Sequence, residues 1–309
     1  MISLNIIVPC FNEENSLNKF YLEVSESLKN NNNLSWNILF IDDGSSDNTL
    51  EKIKELSNNH VNIDYISFSR NFGKESAIYD GLENSSGDYV IIMDADLQDP
   101  PSLIPEMVNY VEDGYDIIAT RRISRKGEPK LRSFFAGLFY KIINRLSNIE
   151  IVDGARDYRL MKKEVVDSIL KLKEYNRFSK GIFQWVGFKT KWIEYENIKR
   201  IEGESSWSFW QLFKYSLEGI VSFTTAPLHI ATIAGITFSI ISFISIILIV
   251  IKTLVFGDAA DGWPSTVSII LFVGGIQLFA IGILGQYLAK IYLETKKRPV
   301  YIIKEDNIK

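Results

Sequence analysis

The sequence predicts an α/β domain, a mainly parallel sheet with helices on both faces, followed by two membrane-spanning helices. Two observations predict this architecture. Apolar runs alternate with amphipathic helical segments through roughly the first 120 residues, with short connections, which is typical of a parallel sheet covered by helices. Near the C-terminus, residues 228–251 and 266–289 are each 24 residues without Asp, Glu, Lys or Arg, against the roughly 20 needed to cross the hydrocarbon core.

Five apolar runs predict the strands, in the order 4–8, 36–41, 63–68, 89–93 and 116–119, the last closing the series. Helices are predicted between them, around residues 14–29, 49–57, 74–83 and 103–112. The run at 89–93 is wholly apolar and is bounded by Gly87 and two prolines. It is therefore predicted to be a strand buried on both faces.

Two carboxylates follow that central strand. Asp94 and Asp96 flank the small residue Ala95, so at a strand end both can reach one point, where they repel each other unless a cation lies between them. Oxygen-only ligands of this kind suit Mg²⁺ or Mn²⁺. The alternative is an acidic turn in which Asp99 caps a helix that starts at Pro100.

Polar groups also follow the other predicted strands. Asp42 and Asp43 stand side by side after the second strand, and Arg70 and Lys74 follow the third. Ligands of such sheets bind beyond the carboxyl ends of the strands. The set fits a nucleotide, with carboxylates and main chain for base and ribose and with Lys74 and a metal for the diphosphate.

Composition excludes several classes of function. The net charge of −4 argues against a general nucleic-acid binder. The single cysteine, Cys10, rules out an internal disulfide, and two histidines make histidine catalysis an improbable mechanism.

Loop charges predict how the two spans are oriented. The link at 252–265 carries Asp258 and Asp261, whereas the tail at 290–309 is rich in lysine and arginine. The positive-inside rule then places the tail and the N-terminal domain, residues 1–205, in the cytoplasm of a two-span protein of the cell membrane. Glycines of the second span could hold the two spans together or build a homo-oligomer.

Two aromatic and basic stretches precede the spans. Residues 130–147 carry aromatic and apolar side chains on one helical face and basic residues toward its polar boundary, which predicts an interfacial helix or, equally, a helix packed on the domain. Residues 206–227 carry aromatic side chains just before the first span and predict a juxtamembrane interfacial helix.

Motifs along nearly the whole chain, at residues 7–14, 41–45, 94–101, 157–161 and 199–207, carry a family resemblance. The sequence resembles inverting family-2 glycosyltransferases with a GT-A domain, of the polyprenyl-phosphate type that includes bactoprenol glucosyltransferases and dolichyl-phosphate mannosyltransferases. The resemblance implies transfer of a sugar, with UDP-glucose the favoured donor, to a polyprenyl phosphate such as undecaprenyl phosphate for cell-envelope glycosylation. Ser206 departs from the family, which often has lysine at that position.

Site residues are implied by position in those motifs. Nucleotide-binding residues would be Pro9, Phe11, Glu13, Asp43 and Asp94, beside Asp42 and Lys74 from the rim pattern, with Asp96 on the metal and Gln98 near it. The meeting point of sugar and acceptor phosphate would be lined by Arg122, Asp157, Arg159 and Arg200.

Asp157 could act as a general base, or it could orient Arg159 and stabilise positive charge that develops on the sugar. The second role is favoured, because a phosphate acceptor with a second pKa near ~6 is already ionised at neutral pH.

Two other functions fit the same domain. A membrane polysaccharide synthase would keep the donor site, but it needs a translocation channel that two spans per chain do not build. A non-catalytic, membrane-anchored nucleotide-binding protein would tolerate loss of Asp157 and Arg200.

Overall fold

The computed structural model describes residues 2–31, 33–122, 144–145, 152, 154–196, 221–256 and 262–308. The first part of the chain alternates strands and helices as predicted. Its strands are β1 (Ile2–Cys10), β2 (Leu34–Asp42), β3 (Ile63–Phe68) and β4 (Tyr89–Ile92). The helices between them are α1 (Leu17–Leu28), α2 (Thr49–Asn59) and α3 (Lys74–Glu83).

The second part of the domain adds strands of both directions. A 3₁₀ turn (Pro101–Leu103) leads into α4 (Ile104–Glu112), which is followed by β5 (Ile117–Arg122), β6 (Ala155–Lys162) and β7 (Thr190–Tyr195). Helices α5 (Lys163–Leu170) and α6 (Ser179–Trp185) connect β6 to β7, and β8 (Ile303–Asp306) comes last.

The described strands form one eight-stranded sheet in the order β7-β5-β6-β4-β1-β2-β3-β8. Strands β3, β2, β1 and β4 are parallel, whereas β6 lies antiparallel between β4 and β5. The prediction that the strand series closes at residues 116–119 is wrong, because β6, β7 and β8 follow. These three strands interleave charged residues with apolar ones, so they lack the continuous apolar run by which β4 is recognised.

The sheet is buried on both faces. On β1, Ile6 and Val8 join a core with Phe20 of α1, while the intervening Ile7 joins the opposite core, which includes residues of α3. A side chain at Gly81 of α3 would overlap the side chain of Ile7. Helix α3 therefore packs directly on the sheet, and this fixes its N-terminus near the carboxyl ends of the strands.

Two long apolar helices follow the domain, α7 (Ala226–Phe256) and α8 (Trp263–Thr295). The stretches Ala226–Ile249 and Ile269–Thr295 within them have mean hydropathy 2.4 and 2.0 and are not buried by the rest of the protein. Each is long enough to cross a bilayer, which indicates membrane association. Of the predicted interfacial helix 130–147 only residues 144–145 are described, and of the predicted juxtamembrane helix 206–227 only residues 221–227.

The segment after α8 returns to the sheet. Strand β8 pairs antiparallel with β3, Tyr301 stacks on Phe68 with ring centroids 4.9 Å apart, and the backbone N–H of Tyr65 donates to Asn307 Oδ1 at 2.6 Å. The segment after α8 is therefore tied to the domain through β3.

Candidate active site

The loop after β4 brings Asp94 and Asp96 to the carboxyl edge of the sheet. Asp94 Oδ1 and Oδ2 lie 2.6 and 2.9 Å from Lys74 Nζ. Asp96 is buried, and its Oδ1 accepts the backbone N–H of Gln98 at 3.1 Å, across a turn in which Leu97 has φ of 55°. The loop thus turns back on itself, and both carboxylates stay at the strand end.

Lys74 joins this loop to a second strand. It is the first residue of α3, and its Nζ also donates to Asp157 Oδ2 on β6 at 2.7 Å. Burial by itself would raise the pKa of Asp157, but Lys74, together with Lys180 and Arg159, holds that pKa well below its usual range. Asp157 is therefore an anion throughout the neutral range.

Arg159 lies underneath this ion pair. Its guanidinium donates to the Arg156 carbonyl at 2.7 Å and to the Asp157 carbonyl at 3.3 Å, and it stacks over the ring of Phe183 at 3.7 Å. The residue is only 1% exposed, and burial lowers its pKa to about 10. Arg159 stays protonated at neutral pH, and the structure places it behind Asp157, with its guanidinium turned into the protein.

Asp42 and Asp43, predicted to face the nucleotide, are both buried. Asp43 accepts the backbone N–H groups of Phe72 and Gly73 at 2.6 and 2.9 Å, and Asp42 accepts the Ser67 hydroxyl at 2.8 Å. Burial raises the pKa of Asp43 to about 6, against the opposing effect of its two backbone hydrogen bonds. Their carboxylates hold the loop after β3 against the end of β2.

Gly44 allows those two loops to touch. Its φ is +65°, and a Cβ there would lie 2.7 Å from both Arg70 Cα and the backbone nitrogen of Asn71. The same contact places Arg70 at the rim, with its guanidinium 4.0 Å from the centre of the Phe72 ring. A residue with a side chain at position 44 would push the loop after β3 away.

The end of β1 supplies the neighbouring part of the rim. Pro9 is partly exposed, and Phe11, just past the strand, is 45% exposed. The backbone N–H of Glu13 donates to Thr49 Oγ1 at 2.8 Å, and its carboxylate accepts the Ser16 hydroxyl at 3.0 Å. Phe11 therefore offers an aromatic surface beside a loop that is fixed to α1 and α2.

Arg122, at the end of β5, reaches the loop after β4 and donates to Gln98 Oε1 at 3.0 Å. Asp99, the next residue on that loop, does not cap a helix: the 3₁₀ turn begins at Pro101 without a side-chain cap. Asp99 is buried and accepts from Arg156 Nε at 3.2 Å. The capping alternative is therefore wrong, because ion pairing with β6 takes the carboxylate away from the helix start.

The structure thus brings together two groups of predicted residues, Lys74 with Asp94 and Asp157, and Gln98 with Arg122. Arg200 and Ser206 lie outside the described residues. Tyr195, at the end of β7, also donates to Asp99, and it has no sequence signal, since β7 resembles any half-exposed strand. The position of Tyr195 beside Asp99 follows from the pairing of β7 with β5.

The carboxylates of Asp94 and Asp96 are ligands of the type that a hard divalent cation prefers. Two carboxylates alone do not complete its coordination shell. Within the described ranges, no group of three or more Asp, Glu, His or Cys side chains is arranged around a common point. Mg²⁺ commonly takes one or two carboxylates and completes its shell with waters and substrate phosphates. Asp94 contacts Lys74 in this arrangement, and Asp96 accepts the backbone N–H of Gln98.

Comparison with known proteins identifies the family of this chain. The model of the family "Glycosyl transferase family 2" matches residues 5–170. A bactoprenol glucosyl transferase of Shigella phage SfV is 42% identical over 308 residues, covering 100% of both chains. A prophage bactoprenol glucosyl transferase homolog of Escherichia coli K12 is 41% identical over 303 residues, covering 98% of this chain and 99% of its own.

Among solved structures, glucosyl-3-phosphoglycerate synthase of Mycobacterium tuberculosis, in complex with Mn²⁺, UDP and phosphoglyceric acid, is similar with a TM-score of 0.47 and 16% identity. That similarity covers 71% of this chain and 76% of the other. The family match and the full-length relatives confirm the resemblance seen in the sequence. The chain therefore belongs to glycosyl transferase family 2.

Proposed function

We propose that this protein transfers glucose from UDP-glucose to a polyprenyl phosphate, such as undecaprenyl phosphate, with inversion at the anomeric carbon. The product would be a lipid-linked monosaccharide for cell-envelope glycosylation. The observation that carries the proposal is similarity at 42% identity to a bactoprenol glucosyl transferase over the entire chain, both apolar helices included. The two apolar helices would keep the domain at the membrane, where a lipid acceptor lies.

The donor would lie across the rim of β1, β2 and β4. Pro9, Phe11 and Glu13 would border the nucleotide, and Asp42 and Asp43 would support the loop beneath it. The diphosphate would meet Lys74, Asp94 and Gln98 at the end of β4. Mg²⁺ or Mn²⁺ held by Asp96, with Asp94 beside it, would supply Lewis-acid neutralisation of the charge on the leaving diphosphate.

The acceptor is an anion and needs fixed positive charge more than it needs a base. A phosphate monoester is mostly ionised at neutral pH, so its oxygen can attack the anomeric carbon without losing a proton. The new bond forms between that oxygen and the anomeric carbon, while the bond from this carbon to the diphosphate breaks and UDP leaves with the electron pair. Arg122 and, from the sequence, Arg200 would bring the acceptor phosphate close to the donor.

Asp157 would act electrostatically in this step. A general base works best with a pKa near the working pH, whereas Lys74 holds the pKa of Asp157 far below it. A permanent carboxylate beside the sugar instead stabilises the positive charge that develops on the ring. Arg159, which donates to the Asp157 carbonyl, would position this residue from behind.

The proposed topology keeps residues 1–205 and both termini in the cytoplasm of a two-span membrane protein. Residues 228–251 and 266–289 would span, 252–265 would form the outer loop, and 206–227 would lie at the interface. Pairing of β8 with β3 supports a common side for tail and domain. The basic tail at 290–309 supports the cytoplasmic side. Homo-oligomers through the glycines of the second span belong to the same proposal.

The test incubates membranes that contain the protein with labelled UDP-glucose, UDP-N-acetylglucosamine, UDP-galactose and GDP-mannose, followed by solvent extraction. We expect label from UDP-glucose in the lipid phase, released by mild acid, and none with the Asp96→Asn variant. Label in a polymer that resists mild acid would favour a polysaccharide synthase. UDP binding without any transfer would favour a non-catalytic nucleotide-binding protein.

A further inference from the structure

The loop after β4 carries a buried carboxylate on which the ends of three strands converge. Asp99 is only 1% exposed, and its Oδ1 accepts Arg156 Nε of β6 at 3.2 Å and the Tyr195 hydroxyl of β7. Arg122 of β5 approaches the same oxygen, with Nη2 at 4.0 Å. Nothing in the donor or acceptor chemistry described above requires a buried anion at this place.

Two guanidinium groups share the Asp99 carboxylate, so Arg122, Arg156 and Asp99 by themselves carry a net positive charge. The neighbouring carboxylate, Asp94, lies 3.9 Å from Arg156 and is also paired with Lys74. Arg122 Nε is buried and has no hydrogen-bond partner in the part of the chain that the structure describes. The side chains of Arg122 and Arg156 remain 16% and 24% exposed. Both guanidinium groups are therefore partly accessible at the rim.

The cluster also adjoins the candidate reaction site. Arg156 Nη2 lies 3.9 Å from Asp94 Oδ2, and Arg122 Nη2 donates to Gln98 on the same loop. A phosphate at this rim would meet two planar forks, and each fork can donate two hydrogen bonds to phosphate oxygens. Without a shared anion, two guanidinium groups this close would repel each other and turn apart.

We infer that Asp99 and Tyr195 are positioning residues that hold Arg122 and Arg156 as a two-guanidinium clamp for a substrate phosphate. The inference rests on the proposed function, which supplies two phosphate ligands, the donor diphosphate and the acceptor monoester. Asp99 sets the direction of Arg156 by accepting from its Nε, so that neither terminal nitrogen is taken by Asp99 and one of them lies 3.9 Å from Asp94 at the rim. Tyr195 fixes the carboxylate itself, so loss of one hydroxyl loosens the clamp without removing any charge.

The experiment measures binding and turnover of the full-length protein in detergent. Dissociation constants for UDP and for undecaprenyl phosphate are determined for wild type, Tyr195→Phe and Asp99→Asn, with thermal midpoints for each. Tyr21→Phe is the matched control, because it removes a tyrosine hydroxyl that contacts His60 far from the rim. Tyr195→Phe keeps the test valid if the buried substitution Asp99→Asn fails to fold.

We expect both variants to weaken one of the two dissociation constants, by about fivefold for Tyr195→Phe and more for Asp99→Asn, and to leave the other within twofold. A change for UDP assigns the clamp to the donor diphosphate, and a change for undecaprenyl phosphate assigns it to the acceptor. The inference is overturned if neither constant changes, or if both weaken together with a lower thermal midpoint. Absence of transfer by wild type would count against the proposed function alone, because the binding comparison needs no turnover.

Discussion

Replacement of Asp157 by asparagine tests the electrostatic role most directly. The amide keeps the shape of the side chain and removes the charge that lies 2.7 Å from Lys74 Nζ. Two unit charges about 4 Å apart interact by about 4 kcal/mol at an effective dielectric constant of 20 and by about 1 kcal/mol in water. Asp157 is 19% exposed and Lys74 is 43% exposed, so we expect an interaction energy between these two limits.

We therefore expect Asp157→Asn to lose about 2 to 3 kcal/mol of transition-state stabilisation, which lowers kcat by roughly 30- to 150-fold. Affinity for UDP should change little, since the nucleotide end of the donor lies at β1 and β2. The assay combines initial rates with saturating labelled UDP-glucose and polyprenyl phosphate, and calorimetric binding of UDP. Asp167→Asn is the control, because Asp167 pairs with Lys163 on the exposed face of α5.

The pH dependence separates the two roles of Asp157. If Asp157 were a general base, turnover of the variant would recover at high pH, where the acceptor phosphate is fully ionised and needs no base. An electrostatic role predicts a constant deficit from pH 6.5 to 9. A variant that keeps more than a third of the wild-type kcat, or that loses UDP binding as severely as it loses turnover, would refute the reasoning.

Three further predictions concern the rim, the core and the metal. Gly44→Ala should destabilise the domain by about 1 to 3 kcal/mol, since the φ of +65° and the contact with Arg70 both oppose a side chain. An unchanged thermal midpoint would contradict this packing. Burial raises the pKa of Asp80 to about 7, so the folded state binds more protons than the unfolded state and stability should fall as pH rises from about 4 to 7. Asp80→Asn should then raise the thermal midpoint much more at pH 8 than at pH 5, whereas equal shifts at both values would argue against that titration. Removal of divalent ions with EDTA should abolish sugar transfer, and addition of Mg²⁺ or Mn²⁺ should restore it. If Asp96→Asn responded to added metal in the same way as wild type, Asp96 would not be a metal ligand.

A strand can be predicted from the sequence only where its own residues form a recognisable local pattern. Strands β1 to β4 are built largely from apolar residues, and the sequence predicts the positions of all four. Strand β6 was missed because it contains Arg156, Asp157 and Arg159, and a buried arginine is stable there only through two carbonyls and the ring of Phe183. Those partners come from the strand's own backbone and from α6, which no periodicity can reveal.

The candidate site shows the same limit. Asp94 and Asp96 were recognisable from the strand that precedes them, but Lys74 and Asp157 are 83 residues apart, and their contact depends on β6 lying beside β4. The sequence gives no measure of burial either. Asp43 is predicted to bind the nucleotide, and the sequence alone does not reveal that its two oxygens accept the backbone N–H groups of Phe72 and Gly73.

The return of the chain to β3 after α8 has a mechanical consequence. The domain is connected to the two apolar helices at two points. The chain leaves the domain before α7, and after α8 it returns to the sheet as β8, which pairs with β3. Detachment of β8 from the sheet would expose the backbone groups of β3 to association with other chains. Under the proposed function, pairing of β8 with β3 would restrict the movement of the domain relative to the membrane, and the lipid acceptor would reach the site by diffusing in the plane of the bilayer.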